Sequence, residues 1–224
     1  MTLVIAHRGA SAYEPENSLA AFRRAVEMGA DGVELDIHQT ADGALAVRHD
    51  GRIDGRPIGE LTLAEVRDTA PLSNGEPVPR LEEALDCLGR AVAAFIEVKT
   101  LSPPGDALLF DAIDGAPDPR QCHVHAFDHR IIKRLHAERE DLPVGALTAS
   151  YPVDPIRPLR DCGARSLWQT RDLVDQDLID AVHEYGGTLN VWTVDDPDEM
   201  RNLIGAGVDG ICSNRPDVAR RIAG

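Results

Sequence analysis

Two kinds of apolar run alternate along this chain. Short, nearly continuous ones predict buried parallel strands, and longer ones with apolar residues every three or four positions predict helices. Leu3–Ala6 is the first short run. Leu19, Phe22, Ala25 and Val26 then recur at helical spacing, with Asn17 or Ser18 to cap the helix and Gly29 to stop it. Val33–Ile37 predicts the second strand, with Glu34 and Asp36 leaving one face of it because strand side chains alternate. Thr40-Ala41-Asp42-Gly43 is a turn signal, and Ala44–Arg48 follows it too closely for a parallel crossover. That segment is therefore expected to run antiparallel to the second strand. Folding the hairpin about Asp42 carries His49 back near the level of Glu34 and Asp36.

Gly51–Gly59 reads as loop, and Leu63–Thr69 and Leu81–Leu88 as helices on either side of the Pro- and Gly-rich Pro71–Pro79. Ala94–Lys99 predicts a strand with Glu97 and Lys99 on one face, and a short helix follows over Asp106–Ile113. Strands are then predicted at Cys122–Phe127, Val144–Thr148, Ser166–Thr170, Thr188–Val194 and Asp209–Ser213. The intervening helices fall at His129–Arg139, Pro155–Arg160, Leu173–Tyr185, Pro197–Gly205 and Pro216–Ile222. Eight parallel strands alternating with helices predict an α/β fold, a TIM-type (β/α)8 barrel, with an extra antiparallel hairpin strand after the second barrel strand. A doubly wound open sheet is the alternative, but no G-x-G-x-x-G follows a strand. No linker or low-complexity tract interrupts residues 1–224, so one domain is expected.

Charge and cysteine content narrow the partners. The formal net charge of −15 argues against nucleic acid and against anionic membrane surfaces. No apolar run approaches the ~18 residues of a membrane span, and no basic leader precedes Leu3. Cys87, Cys122, Cys162 and Cys212 are widely spaced without a C-x-x-C pair, which suggests buried reduced thiols and a cytoplasmic location.

The polar residues at strand ends are where barrel enzymes keep their chemistry. Glu34, Asp36 and Glu97 come from two strands and could converge at one mouth. Buried carboxylates repel unless a positive charge sits among them. A hard divalent cation would serve, and so would Arg8 and Lys99 without a metal; spacing alone leaves both open. His7 and His49 would stand beside this cluster, as an acid–base pair or as structural histidines. His38, His123 and His125 are weaker candidates, and no G-x-S-x-G, H-E-x-x-H or P-loop occurs.

The ordered set of motifs resembles the glycerophosphodiester phosphodiesterase family of the phospholipase C-like phosphodiesterase superfamily. It comprises His7-Arg8-Gly9, Pro15-Glu16-Asn17-Ser18, Gly29-Ala30-Asp31, Glu34-Leu35-Asp36, Thr40-Ala41-Asp42-Gly43, His49-Asp50, Glu97-Val98-Lys99, Trp192-Thr193-Val194 and Gly207–Ile211. The match covers nearly the whole chain in the right order. It implies a TIM barrel that hydrolyses glycerophosphodiesters, small-molecule substrates, to glycerol 3-phosphate and an alcohol. By resemblance, Glu34, Asp36 and Glu97 bind one divalent cation, Mg²⁺ or Ca²⁺ with Mn²⁺ as a further option. His7 and His49 form the acid–base pair, Arg8 and Lys99 hold phosphate oxygens, and Trp192 shapes the glycerol pocket. Ser18 stands for the usual Thr, Ala126 for a Ser and Asn214 for an Asp, and the segment after Asp50 is shortened. These departures bear on substrate range. Two rival readings are a phosphodiesterase acting on lysophospholipids (lysophospholipase D type) and a non-catalytic phosphodiester-binding barrel. The first needs an apolar or basic membrane-facing surface, the second a missing ligand or histidine, and the sequence offers neither.

Overall fold

The short apolar runs pair edge to edge and close on themselves. The computed structural model describes residues 1–224. Its strands are β1 (Leu3–His7), β2 (Gly32–Gln39), β3 (Leu45–Val47), β4 (Arg52–Ile53), β5 (Arg56–Pro57), β6 (Ala93–Thr100), β7 (Cys122–Ala126), β8 (Val144–Thr148), β9 (Ser166–Thr170), β10 (Thr188–Trp192) and β11 (Gly210–Ser213). The order β1-β11-β10-β9-β8-β7-β6-β2, with β2 pairing back onto β1, makes an eight-stranded parallel barrel. The helices are α1 (Leu19–Glu27), α2 (Leu63–Thr69), α3 (Leu81–Leu88), α4 (Asp106–Asp114), α5 (His129–Glu138), α6 (Arg157–Cys162), α7 (Gln176–Glu184), α8 (Pro197–Ala206) and α9 (Pro216–Ala223). None of them is long and apolar enough to cross a membrane.

Alternation along each strand divides the core in two. Val4, Ala6, Val33, Leu35, Ile96 and Ile211 point outward and pack against the helices. Ile5, Phe95, Leu147, Trp168 and Cys212 point inward and fill the lumen, with Trp192 against them. This apolar plug leaves the inward positions near the strand C-termini to polar side chains.

β2 and β6 have eight residues each, against four or five in the other barrel strands, and run on past the mouth. β1 pairs only with Gly32–Glu34 of β2. The exposed edge beyond is covered by β3, antiparallel, with Ile37 opposite Val47 and Gln39 opposite Leu45. The hairpin strand is therefore where the turn signal put it. Gly51–Gly59, expected as loop, contains the small β4–β5 hairpin, turning at Asp54 (φ 48°) and Gly55 (φ 79°). Two-residue strands are too short to show alternation, which is why the segment read as loop. α7 begins later than expected because Asp175 caps it, accepting from the Leu178 N–H at 2.9 Å, while Arg171–Leu173 forms a separate 3₁₀ turn. All four cysteines are free, Cys87 half-buried and the others buried.

Candidate active site

The site starts at the turn after β1. Arg8 (φ 56°) and Asn17 (φ 57°) both take the left-handed backbone that non-glycine residues adopt at an expense on the order of 1 kcal/mol or more. That geometry aims the Arg8 N–H at Glu34 Oε2, 3.0 Å away, and the guanidinium at Asp36, with Nε 3.1 Å from Oδ2. Gly9 (φ 81°) completes the turn, and a Cβ there would lie 2.7 Å from the Ala21 backbone, so α1 sits directly against it. Asn17 and Ser18 divide the roles expected of either one. Ser18 caps α1 through the Ala21 N–H, and the Asn17 amide donates to Asp36 Oδ2 at 2.8 Å.

Register brings the acids together. His7 lies opposite Glu34, Asp36 opposite Glu97, and Glu97 opposite His125. All three carboxylates are buried. The Lys99 ammonium reaches Glu97 Oε1 at 2.5 Å and Asp36 Oδ1 at 3.0 Å. Two cations thus face three carboxylates, and the electrostatics divides unevenly. Burial opposes ionisation of Asp36, but Lys99 and Arg8 outweigh it and hold its carboxyl below the usual range. Burial, reinforced by the charges of Asp36 and Glu97, pushes Glu34 well up. Burial and the Asp36 charge push Glu97 up to about 7. These are the marks of an acid set that lacks one positive charge.

A small cavity of about 20 Å³ opens beside His7, Glu34, Glu97, His125 and Trp192, room for one water-sized occupant. An oxygen each of Glu34 and Glu97 and a ring nitrogen of His125 lie within 4.8 Å of one another there. His125 Nδ1 is buried without a hydrogen-bond partner, while Asp36 Oδ1 and Glu97 Oε1 meet only the Lys99 ammonium. This donor set fits a divalent cation: Glu34, Glu97 and His125 converge on one point, while Asp36 stands beside them with its oxygens on Lys99, Arg8 and Asn17. A cavity of about 340 Å³ opens among Phe95, His123, Gly145, Arg165 and Ser166 at the strand starts, away from the barrel's catalytic end, and a larger one, about 560 Å³, lies beside Lys99, Ser102 and Arg134.

His7 is held by a chain of contacts that runs outward. Asn214 Oδ1 lies 2.7 Å from His7 Nδ1, while Asn214 Nδ2 donates to Asp195 Oδ2 at 2.6 Å and its N–H to Asp195 Oδ1 at 2.8 Å. The Asp195 carboxylate only accepts, so it fixes which way the Asn214 amide points. His7 Nδ1 must then carry the proton, which leaves Nε2 as the free basic nitrogen. Burial and the neighbouring Arg8 charge lower the His7 pKa, keeping it neutral near pH 7.

His49 does not line the small cavity beside His7 and the carboxylates. It is more than a third exposed, its Nδ1 3.1 Å from Asp50 Oδ1, on a groove lined also by Glu16, Asn17 and Arg48. His38 steadies it, donating from Nε2 to the His49 carbonyl at 3.0 Å while Nδ1 accepts from the Thr100 hydroxyl. Trp192 meets the exposed Phe127 edge-on at 5.7 Å, and its buried indole N–H has no partner. The structure therefore gathers His7, Arg8, Glu34, Asp36, Glu97, Lys99 and Trp192, and His49 lines the adjoining groove with Asn17, which itself contacts Asp36. Sequence reading ranked His125 low and missed Asp195. Asp195 precedes Asp196, which caps α8, so the pair resembles an ordinary helix start.

Comparison with known proteins bears on the family and the fold. The profile of the glycerophosphoryl diester phosphodiesterase family matches residues 7–218. A glycerophosphodiester phosphodiesterase of Caldanaerobacter subterraneus subsp. tengcongensis is 34% identical over 231 aligned residues, covering 96% of this chain and 95% of its own. A crystal structure of a glycerophosphodiester phosphodiesterase from Parabacteroides distasonis superposes with a TM-score of 0.89 at 31% identity, covering 99% and 96% of the two chains. An Oleispira antarctica phosphodiesterase, solved with the product sn-glycerol-3-phosphate, shares the fold with a TM-score of 0.91 at 21% identity, covering 99% and 96%. This chain belongs to the glycerophosphoryl diester phosphodiesterase family of enzymes.

Proposed function

We propose that the protein hydrolyses glycerophosphodiesters to glycerol 3-phosphate and an alcohol, with a divalent cation held by Glu34, Asp36 and Glu97. The observation that carries the reading is the cluster of three buried carboxylates facing only Arg8 and Lys99 beside a neutral, oriented His7. When bound, the cation offsets charge on a non-bridging phosphate oxygen and makes the glycerol 2-hydroxyl easier to deprotonate. Arg8 and Lys99, at the rim of the cluster, would turn toward the phosphate oxygens, and the free Trp192 N–H would meet a glycerol or phosphate oxygen.

His7 Nε2 takes the 2-hydroxyl proton as that oxygen attacks phosphorus. The bond from phosphorus to the head-group oxygen breaks, and His49 gives its proton to the departing alcohol. The cyclic glycerol phosphate is then opened by water. His49, now neutral, takes a proton from the water, and His7 returns its proton to the 2-oxygen. Both histidines finish as they began, and the groove that carries His49 is where the head group would lie.

The test is glycerol 3-phosphate release from glycerophosphocholine and glycerophosphoethanolamine by chelator-stripped protein given Mg²⁺, Ca²⁺ or Mn²⁺ in turn. Release is expected only after an ion is returned. Folded protein that releases nothing with any ion would overturn the proposal.

A further inference from the structure

His125 is unused by the reaction above, yet the barrel builds a mount for it. The residue is 1% exposed and points into the lumen opposite Glu97. Its imidazole lies flat on Trp168, 4.2 Å between centroids and 4° between planes. Trp168 comes from β9, two strands away, and reaches His125 across Gly145 of β8. A Cβ at Gly145 would meet the indole at 3.0 Å, so this side-chain-free position is what lets the stack form. Phe95 supports the indole edge-on at 5.3 Å. The ring is therefore fixed, and no hydrogen bond within the protein fixes it, for Nδ1 is buried without a partner. A buried polar nitrogen left unpaired costs about 1–3 kcal/mol, and here a ring nitrogen sits within 4.8 Å of oxygens of Glu34 and Glu97.

We infer that His125 is a nitrogen ligand of the divalent ion held by Glu34, Asp36 and Glu97, and that this mixed set favours Mn²⁺ or Co²⁺ over Mg²⁺ and Ca²⁺. The inference rests on the cation reading above and adds to it a donor and an ion preference. An all-oxygen set suits the hard ions, whereas an imidazole moves the preference toward first-row transition metals. A ligating histidine must be neutral, and burial already keeps this one so, its pKa pushed down to about 3. The Trp168 stack plays the part that an outer hydrogen bond plays for other metal-bound histidines, setting ring orientation before the ion arrives.

Chelator-stripped full-length protein loaded with Mn²⁺ provides a readout independent of turnover. Pulsed electron paramagnetic resonance should show a ¹⁴N coupling from imidazole to the manganese. The double variant His7→Ala/His49→Ala should keep that coupling, since it removes the two other site histidines. His125→Gln should abolish it. By calorimetry His125→Gln should weaken Mn²⁺ binding by at least about tenfold, with Ca²⁺ affinity changed by less than about threefold. Manganese bound without nitrogen coupling would overturn the assignment and leave the cation reading standing. So would coupling that persists in His125→Gln or vanishes in the double variant. Failure to bind any divalent ion would overturn both. If His125→Gln does not fold, the wild-type and double-variant spectra still decide.

Discussion

At the scale of single residues, the site works by neutral groups set among charged ones. Asn214 shows this best. Its amide, oriented by Asp195, offers His7 an uncharged acceptor, so the imidazole is positioned without being driven toward imidazolium. Asn214→Asp would place a carboxylate in the same contact. An opposite charge at that range raises a histidine pKa by about 1–3 units. The acid limb of the kcat/KM–pH profile should then move up by about one unit or more, while an unmoved limb would remove His7 as the base. Glu97 supports a second prediction. Its carboxyl ionises near 7 in the metal-free fold against 4.5 ordinarily. Between those values the folded protein holds a proton that the unfolded chain has lost. Stability is thus fully present below 4.5 and drains away as pH rises through 7, by at most about 1.4 kcal/mol per pH unit. Glu97→Gln cannot ionise, so with chelator present its Tm should gain on wild type from pH 5 to 7.5. A constant difference across that interval would show that Glu97 is not held protonated. Glu34, Asp36 and Glu97 were legible in the sequence because strand alternation alone places them. His125 was not, because its partner Trp168 reaches it across Gly145, and no one-dimensional pattern reveals a contact that spans an intervening strand. The Asn214–Asp195 contact joins two loops and was equally hidden.

At the scale of elements, the turn from β1 into α1 couples packing to chemistry. Gly9 lets α1 press against the segment that aims Arg8, and both the positive φ and the 2.7 Å approach to Ala21 exclude a side chain. Gly9→Ala should destabilise the protein by about 2–3 kcal/mol in urea unfolding. Gly55, in the β4–β5 turn, has a similar φ of 79° but open space around its Cβ position. Gly55→Ala should lose only about 1 kcal/mol. Equal losses would mean that conformation alone, and not the α1 contact, restricts Gly9. The strand–helix order and the antiparallel β3 were readable from apolar runs and the Asp42-Gly43 turn. Element ends were less so where a cap such as Asp175 competed with the apolar pattern.

For the whole molecule, the question is how a chain of net charge −15 accepts a phosphodiester. Arg8 and Lys99 cannot resolve it by themselves, because Asp36, Glu97 and Glu16 already engage them. The divalent ion proposed above would turn the mouth positive, and that charge would be felt at short range, because salt screens beyond about 8 Å at physiological ionic strength. At 0.01 M salt screening extends to about 30 Å, and the surface as a whole should repel an anion. With divalent ion held constant, raising ionic strength from 0.01 to 0.15 M should leave kcat/KM unchanged for zwitterionic glycerophosphocholine. It should raise kcat/KM modestly for a substrate of net negative charge, such as glycerophosphoglycerol. A steep fall with salt for either substrate would mean that long-range attraction steers the substrate in, which this distribution of charge does not provide. A flat response for both would mean that capture depends only on the few charges within the mouth.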